Sequence, residues 1–223
     1  MQEQSEAQTE SAKDVRIAAL EAELAEARRQ QEATTDVLKT ISESGANLQV
    51  VLDRLVRTTS ALCDDEDVAI HRLEGEVITI AAHFGSIPIP PGAYPVSATG
   101  AAARAIRERT RIEVDDLPSE TEQYPGGSAR ARTTGARTFL CVPLVNGDRA
   151  LGAIVLRRLE VKRFSDNQIA LVEAFASQAV IAIENARLFE TEQARSRELQ
   201  EALEYQRGGA EVLQAIAGSP GRI

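Results

Sequence analysis

The chain has 223 residues, of which 43% are hydrophobic and 26% charged, and its net charge at pH 7 is −9. This composition indicates a soluble globular protein and excludes a disordered chain, while the acidic balance argues against nucleic acid and anionic membrane surfaces as partners. No apolar run approaches the roughly 20 residues of a membrane-spanning helix, and the polar, acidic start does not resemble a signal peptide. We therefore expect a cytoplasmic protein without membrane contact.

The first predicted element is a coiled-coil helix at residues 12–44, after a disordered tail at residues 1–11. Apolar or small residues recur there at intervals of three and four, which is the heptad pattern. The seam consists of Ile17, Leu20, Leu24, Ala27, Leu38 and Ile41. Gln31 and Thr34 interrupt the seam, so we expect an adjustable parallel homodimer. The alternative is one amphipathic helix packed on its own domain, and sedimentation equilibrium separates the two.

The middle of the chain is predicted to fold as an α+β domain at residues 45–190. The expected elements are a helix at 48–62, strands at 67–73 and 76–84, a helix at 97–109, a short strand at 111–114, a loop, and strands at 137–145 and 150–159. Glu74-Gly75 and Asn146-Gly147 are typical of tight hairpin turns. The pattern predicts an antiparallel sheet of five or six strands with its helices gathered on one face.

A second long helix is predicted from Phe164-Ser165-Asp166, with Ser165 or Asp166 as its N-cap. It is apolar enough for burial as far as Arg187 and becomes polar beyond Phe189, which predicts a helical linker toward a following module at residues 191–223. Residues 211–219 also echo residues 36–44 in sequence. This similarity favours one unit cut from a tandem array, and the alternative is a chance resemblance between two heptad helices.

The most distinctive sequence of the domain lies in its C-terminal half, at residues 139–156, at residues 164–189, and above all in the run AVIAIENARL at residues 179–188. These residues resemble the C-terminal half of a GAF domain. The resemblance covers residues 45–190 more loosely and implies a small pocket between the sheet and a lid at residues 85–137. The long flanking helices resemble the linkers of bacterial sensor histidine kinases and nucleotide cyclases.

The resemblance implies a sensory module and no enzyme activity in this chain. A small molecule bound in the pocket would bias the helices of a homodimer and so control a downstream output domain, a histidine kinase or a nucleotide cyclase. One alternative is a passive dimerising spacer without a ligand. A less favoured one is a thiol-dependent redox enzyme of the methionine sulfoxide reductase type, for which Cys63 and Cys141 form no cluster.

The cofactor or ligand is unknown from the sequence, but a covalent bilin is not expected, and the cyclic-nucleotide signature is absent, although family members without that signature can still bind nucleotides. Residues 125–135 lack the cysteine that would attach a bilin, and Arg157-Arg158 and Gln168-Ile169 replace the residues typical of cyclic-nucleotide binders. His71 and His83 lack clustered ligand partners, so no metal is expected and both are interpreted as strand-surface residues.

Ligand-binding positions follow from strand alternation and from the lid. Alternation places Arg137, Phe139 and Cys141 on one face of their strand and the more apolar set Leu140, Val142 and Leu144 on the other, toward the helices. The predicted ligand-binding residues are Phe84, Tyr94, Thr99, Arg130, Thr134, Arg137, Phe139 and Cys141.

Overall fold

The computed structural model describes residue 16, residues 48–64 and residues 66–217. Its elements in chain order are α1 (Leu48–Leu62), β1 (Asp67–Glu74), β2 (Val77–Phe84), β3 (Tyr94–Pro95), α2 (Ala101–Glu108), β4 (Ile112–Val114), a 3-10 turn (Leu117–Ser119), α3 (Pro125–Thr134), β5 (Thr138–Asn146), β6 (Arg149–Arg158) and α4 (Asp166–Ala217). The predicted tail, the coiled-coil seam and the first copy of the sequence repeat lie outside the described residues.

The six strands form one antiparallel sheet in the order β3-β2-β1-β6-β5-β4. The two predicted hairpins, β1–β2 and β5–β6, are joined side by side through the pairing of β1 with β6. The predicted α+β fold with its antiparallel sheet and long C-terminal helix is confirmed. The sixth strand, β3, has only two residues, which is too short for a periodic pattern to reveal.

One face of the sheet is covered by helices. Helix α1 packs on β1 and β2 and buries Leu52, Leu55 and Val56, while the first turns of α4 bury Val172 and Phe175. The strand residues that belong to this face are large and aliphatic, and each is almost inaccessible to solvent: Val68, Ile70, Leu140, Leu144, Ile154 and Leu156. Burial of each such side chain contributes about 1.5–3 kcal/mol, so this layer is the main apolar core.

Helix α4 begins with a capping box. The Gln168 backbone N–H donates to Ser165 Oγ at 3.3 Å, and the Ser165 backbone N–H donates to Gln168 Oε1 at 3.0 Å. Ser165 is therefore the cap, one of the two residues that the sequence suggested. Within the described part of the chain, the segment Asp166–Glu201 has the length and composition of a membrane-crossing helix, but half of its apolar window is buried, as in the core helix of a soluble protein.

The lid on the opposite face contains a helix that the sequence analysis treated as loop. Helix α3 forms because Pro125 occupies its first turn, where no backbone N–H is needed, and because alanines and arginines follow. Gly135 ends it with φ +79°, and the Gly135 N–H donates to the carbonyl of Ala131. The local signals were present, but three Gly residues and one Pro in eleven residues obscured them.

Gly152 of β6 has a φ of +156°, so a side chain on it would point into the backbone of β1. This residue pairs with Arg72, and a Cβ atom built on it would lie 2.0 Å from the carbonyl oxygen of His71 and 3.1 Å from the Cα of Arg72. Both neighbours are backbone atoms, so neither can move without disturbing the ladder. Only glycine fits at this point of the central strand pair.

Candidate functional site

A partly enclosed cavity of about 160 Å³ lies between the sheet and the lid. Its floor comes from alternate residues of paired strands, because register places these side chains on one face. Its walls come from the loop before β3, the first turn of α2 and the length of α3. The lining residues used below are His71, Ile80, Tyr94, Thr99, Ala101, Ala103, Leu117, Arg130, Thr134, Phe139, Val155 and Arg157.

A buried histidine and a tyrosine form the polar floor of the cavity. His71 Nδ1 lies 2.5 Å from the Tyr94 hydroxyl, and the two rings meet edge to face with centroids 5.9 Å apart. Burial, and to a smaller extent the positive charges of Arg157 and Arg130, lower the pKa of His71 to about 3. Burial likewise raises the pKa of the Tyr94 phenol. The pair is therefore neutral near pH 7.

Replacing His71 by Gln tests this assignment through pH. The histidine pKa is about 6.5 in the unfolded chain and about 3 in the folded one, so the unfolded chain binds the proton more readily between these values. The stabilisation is complete above pH 6.5 and is lost by about 1.4 kcal/mol per pH unit as the pH falls. Urea unfolding at pH 7 and pH 5 should show a loss about 2 kcal/mol larger in the wild type than in His71→Gln. Equal losses would refute the neutral histidine.

Arg157 reaches the cavity from β6 and is held by a buried carboxylate. Its Nε and Nη2 donate to Asp67 Oδ1 at 2.8 and 2.5 Å, and Nη2 also donates to the carbonyl of Ile87 at 3.1 Å. The other oxygen, Asp67 Oδ2, accepts the Ile87 N–H at 2.8 Å and lies 3.0 Å from His83 Nε2. Asp67 and Arg157 are 5% and 7% exposed. This cluster ties the chain after β2 to β1 and β6.

Arg130 projects from α3 at the mouth of the cavity. Its guanidinium carbon lies 4.9 Å from the centroid of the Tyr94 ring, which is a cation–π distance. Within the part of the chain that the structure describes, Arg130 makes no hydrogen bond or ion pair with another side chain. Its charge can therefore meet a ligand without breaking an existing interaction.

The first turns of α2 and α3 meet at one wall of the cavity. Gly126 N–H donates to Thr99 Oγ1 at 3.0 Å and Gly127 N–H donates to the Thr99 carbonyl at 3.1 Å. Gly127 also lies close to Gly100, because a Cβ atom built on Gly127 would be 3.1 Å from the Cα of Gly100. Helix α2 begins at Gly100 without a side-chain cap, which leaves the positive end of that helix at the cavity wall.

Five of the eight predicted ligand-binding residues line the cavity: Tyr94, Thr99, Arg130, Thr134 and Phe139. The face assignment for β5 also agrees with the structure, since Phe139 and Cys141 lie on the lid side with Val155 and Ile112. The three others, Phe84, Arg137 and Cys141, do not line it.

Phe84 lies on the other face because β2 contains a bulge. Ile70 pairs with Ala82 but His71 pairs with Ile80, so one extra residue interrupts the alternation. The Arg57 guanidinium of α1 lies 4.8 Å over the Phe84 ring, which places that ring on the helix side. Past the bulge, His83 is the β2 residue that contacts the cavity cluster, through Asp67.

Arg137 is drawn away from the cavity by an ion pair. It precedes the first residue of β5, and its Nε and Nη2 donate to Asp116 Oδ1 and Oδ2 at 2.6 and 2.9 Å. The Asp116 pair raises the pKa of Arg137, and the Arg137 hydrogen bonds lower that of Asp116. Because Arg137 lies outside strand β5, the alternation of side chains along that strand does not determine where Arg137 points.

The two cysteines are unsuited to nucleophilic chemistry as they stand. Cys141 is fully buried in the apolar cluster under α2 rather than at the cavity surface, and burial raises its thiol pKa to about 12. Cys63 is equally buried, and burial together with the charges of Asp64 and Glu66 raises its pKa to about 12. Both are therefore held as protonated thiols. Among the described residues, no three His, Cys, Asp or Glu side chains gather as a metal would require.

Sequence reasoning missed the most buried polar residues of the site. It interpreted His71 as a strand-surface residue, but His71 is 9% exposed, and it treated Arg157 only as part of an absent signature. Register between β1 and β6 brings both to the cavity face. His71 follows the core residue Ile70 and Arg157 follows the core residue Leu156, so alternation places both on the cavity face once the pairing of β1 with β6 is known.

Comparisons with known proteins agree with this architecture. The family model described as "GAF domain" matches residues 47–183, more than half of the chain. A GAF domain of a phosphoenolpyruvate-protein phosphotransferase from Coxiella burnetii is 15% identical with a TM-score of 0.62, covering 74% of this chain and 98% of that one. A methyl-accepting chemotaxis protein is 19% identical with a TM-score of 0.58, covering 70% and 98%.

A third similar structure is an enzyme. It is the free methionine-R-sulfoxide reductase of Neisseria meningitidis in complex with its substrate, 14% identical with a TM-score of 0.59, covering 71% of this chain and 90% of that one. At these identities, the likenesses show a shared fold and nothing about the ligand or the activity.

Proposed function

The chain belongs to the GAF domain family, and we propose that it is the sensory and dimerisation module of a multidomain bacterial signal-transduction protein in the cytoplasm. A small molecule binds in the cavity between sheet and lid, and its binding rearranges helices that control an output domain, a histidine kinase or a nucleotide cyclase, outside these 223 residues. The chain itself catalyses no reaction.

The observation that carries this proposal is the cavity itself. It is lined mainly by apolar side chains with a few convergent polar groups, which is the usual character of a small-molecule site. Its walls are short elements, a two-residue strand and two helices of 8 and 10 residues. Such walls can adopt different arrangements, and a ligand that favours one arrangement shifts the population toward it.

Strand β6 offers a route from the cavity to the helices. Val155 and Arg157 face the cavity, while the alternating residues Ile154 and Leu156 belong to the buried core on the other face of the sheet. A ligand-driven displacement of β6 would therefore reach α1 through β1, which pairs with β6 and on which α1 packs. Packed cores respond to such displacements by discrete shifts rather than by gradual deformation.

Helix α4 supports the proposed homodimer. It carries large apolar side chains that are exposed in the single chain: Ile181, Leu188, Phe189 and Leu199, at 44%, 55%, 39% and 59%. Leu188 and Leu199 are about three helical turns apart, so these two lie along one stripe. In the proposed parallel homodimer, the same helix of the second chain would cover this stripe. The predicted heptad seam of residues 12–44 would provide a further contact between the two chains.

A ligand screen tests the proposed function. We expect at least one compound from a panel of nucleotides, amino acids and aromatic acids to raise the melting temperature. At a hundred times its Kd a ligand adds about 2.7 kcal/mol, which corresponds to about 5–10 °C for a chain of this size. No shift with any compound would instead favour the passive spacer.

A further inference from the structure

We propose that the ligand of this cavity is a small organic anion, with a compact apolar or aromatic body and one carboxylate or a group of similar size. The inference rests on the proposed sensory function and names the chemical class that the site would select. It is carried by the size, the lining and the charge of the cavity.

Size and lining set the body of the ligand. The volume of about 160 Å³ is close to the roughly 150 Å³ of an apolar cavity that accepts benzene. Ile80, Leu117, Phe139 and Val155 offer apolar surface on the floor and wall. A single ring or a branched aliphatic group therefore fits, whereas a nucleotide or a tetrapyrrole is too large for the cavity as it stands.

Charge sets the polar group of the ligand. The side chains that line the cavity include Arg130 and Arg157, and no aspartate or glutamate is among them in the described part of the chain. The Asp67 carboxylate neutralises the charge of Arg157, whose Nε and Nη2 donate to Asp67 Oδ1 at 2.5–2.8 Å. Arg130 has no such partner among the residues that the structure describes, so the cavity carries about one positive charge that an anion would neutralise. A cationic ligand would meet repulsion, and a neutral one would leave this charge unused.

The position of Arg130 suits it to grip the anion. Stacking on the Tyr94 ring holds the guanidinium at the mouth while leaving its edge open, and a guanidinium can bind a carboxylate through two parallel hydrogen bonds. Thr134 lies one turn further along α3 and also lines the cavity. The ligand body would then lie inward over Phe139, with its anionic group outward beside Arg130.

Three probes of similar size and different charge test the proposal: benzoate, benzamide and benzylamine. Binding is measured by calorimetry at fixed ionic strength, and the amide resonances of Gly126 and Gly127 report whether the probe occupies the cavity. We expect benzoate to bind at least about tenfold more tightly than benzamide, because it gains a charge-assisted hydrogen-bond pair. Arg130→Gln should abolish this preference, because benzoate loses the charge-assisted pair whereas benzamide has none to lose.

Arg132→Gln is the matched control. It removes the same charge from the same helix, but Arg132 does not line the cavity and instead donates to the Pro118 carbonyl and to Ser128 Oγ. The preference for benzoate should survive in this variant. Benzamide or benzylamine binding as tightly as benzoate would overturn the anion assignment while leaving the sensory function intact. Failure of all three probes would also overturn it, and the broader panel would then decide separately whether the sensory function stands.

Discussion

Replacing Gly152 by Ala is expected to destabilise the protein by at least about 4 kcal/mol, the range reached only by severe core disruption. The added Cβ would lie 2.0 Å from the His71 carbonyl oxygen, far inside any real contact distance, and 3.1 Å from the Cα of Arg72. Relief requires β6 to move away from β1 at the centre of the sheet. The free energy of unfolding in urea measures the loss, and reduced expression of soluble protein would accompany it.

Gly147→Ala is the control for this substitution. Gly147 also has a positive φ, of 56°, but nothing lies within 4 Å of a Cβ built there. It should therefore cost only the backbone strain, about 1 kcal/mol. A Gly152→Ala variant that unfolds at the same urea concentration as Gly147→Ala would contradict the close approach of the two strands.

The second large effect is expected from Asp67→Asn, at about 3–5 kcal/mol, because it leaves the buried Arg157 charge without its partner. Asp67 also anchors the Ile87 N–H at 2.8 Å. The substitution therefore loosens the chain that leads from β2 into the lid, and ligand binding should weaken together with stability. Urea unfolding measures the first effect, and titration with a ligand found in the screen measures the second.

Two further variants test whether the unpaired charge of Arg157 causes the loss of stability in Asp67→Asn. Asp116→Asn breaks the more exposed pair with Arg137 and should cost far less stability than Asp67→Asn. The double variant Asp67→Asn with Arg157→Gln removes both buried charges and should be more stable than Asp67→Asn alone. A double variant less stable than the single one would show that the hydrogen bonds, and not the charge imbalance, dominate.

The sequence predicted those parts of the fold in which local pattern and tertiary contact agree. The hairpins at Glu74-Gly75 and Asn146-Gly147, the α4 start at Ser165 and the split of Phe139 from Leu140 across β5 all follow from spacing alone. Helix α3 was missed because its Gly and Pro residues are unfavourable in a helix interior but tolerated in its first turn and at its end.

The candidate site was predicted less completely, because its key residues depend on strand pairing. The bulge that turns Phe84 away is defined only by the register of β1 against β2. Arg157 faces the cavity through the pairing of β6 with β1, and Asp67, 90 positions earlier in the chain, holds its guanidinium there. Neither the bulge nor the contact between Asp67 and Arg157 produces a periodic pattern in the sequence. Tyr94 and Arg130 were predicted from their position in the lid, and the stacking between them required the structure.

The two outermost strands of the sheet are too short to recruit another strand. β3 has two residues and β4 has three, whereas strand addition requires a longer row of unpaired N–H and C=O groups. Copies of this domain held close together along one repeated chain would therefore resist edge-to-edge aggregation. Association between them is left to side chains on helices, a contact that can slide or rotate without any backbone hydrogen bond being broken.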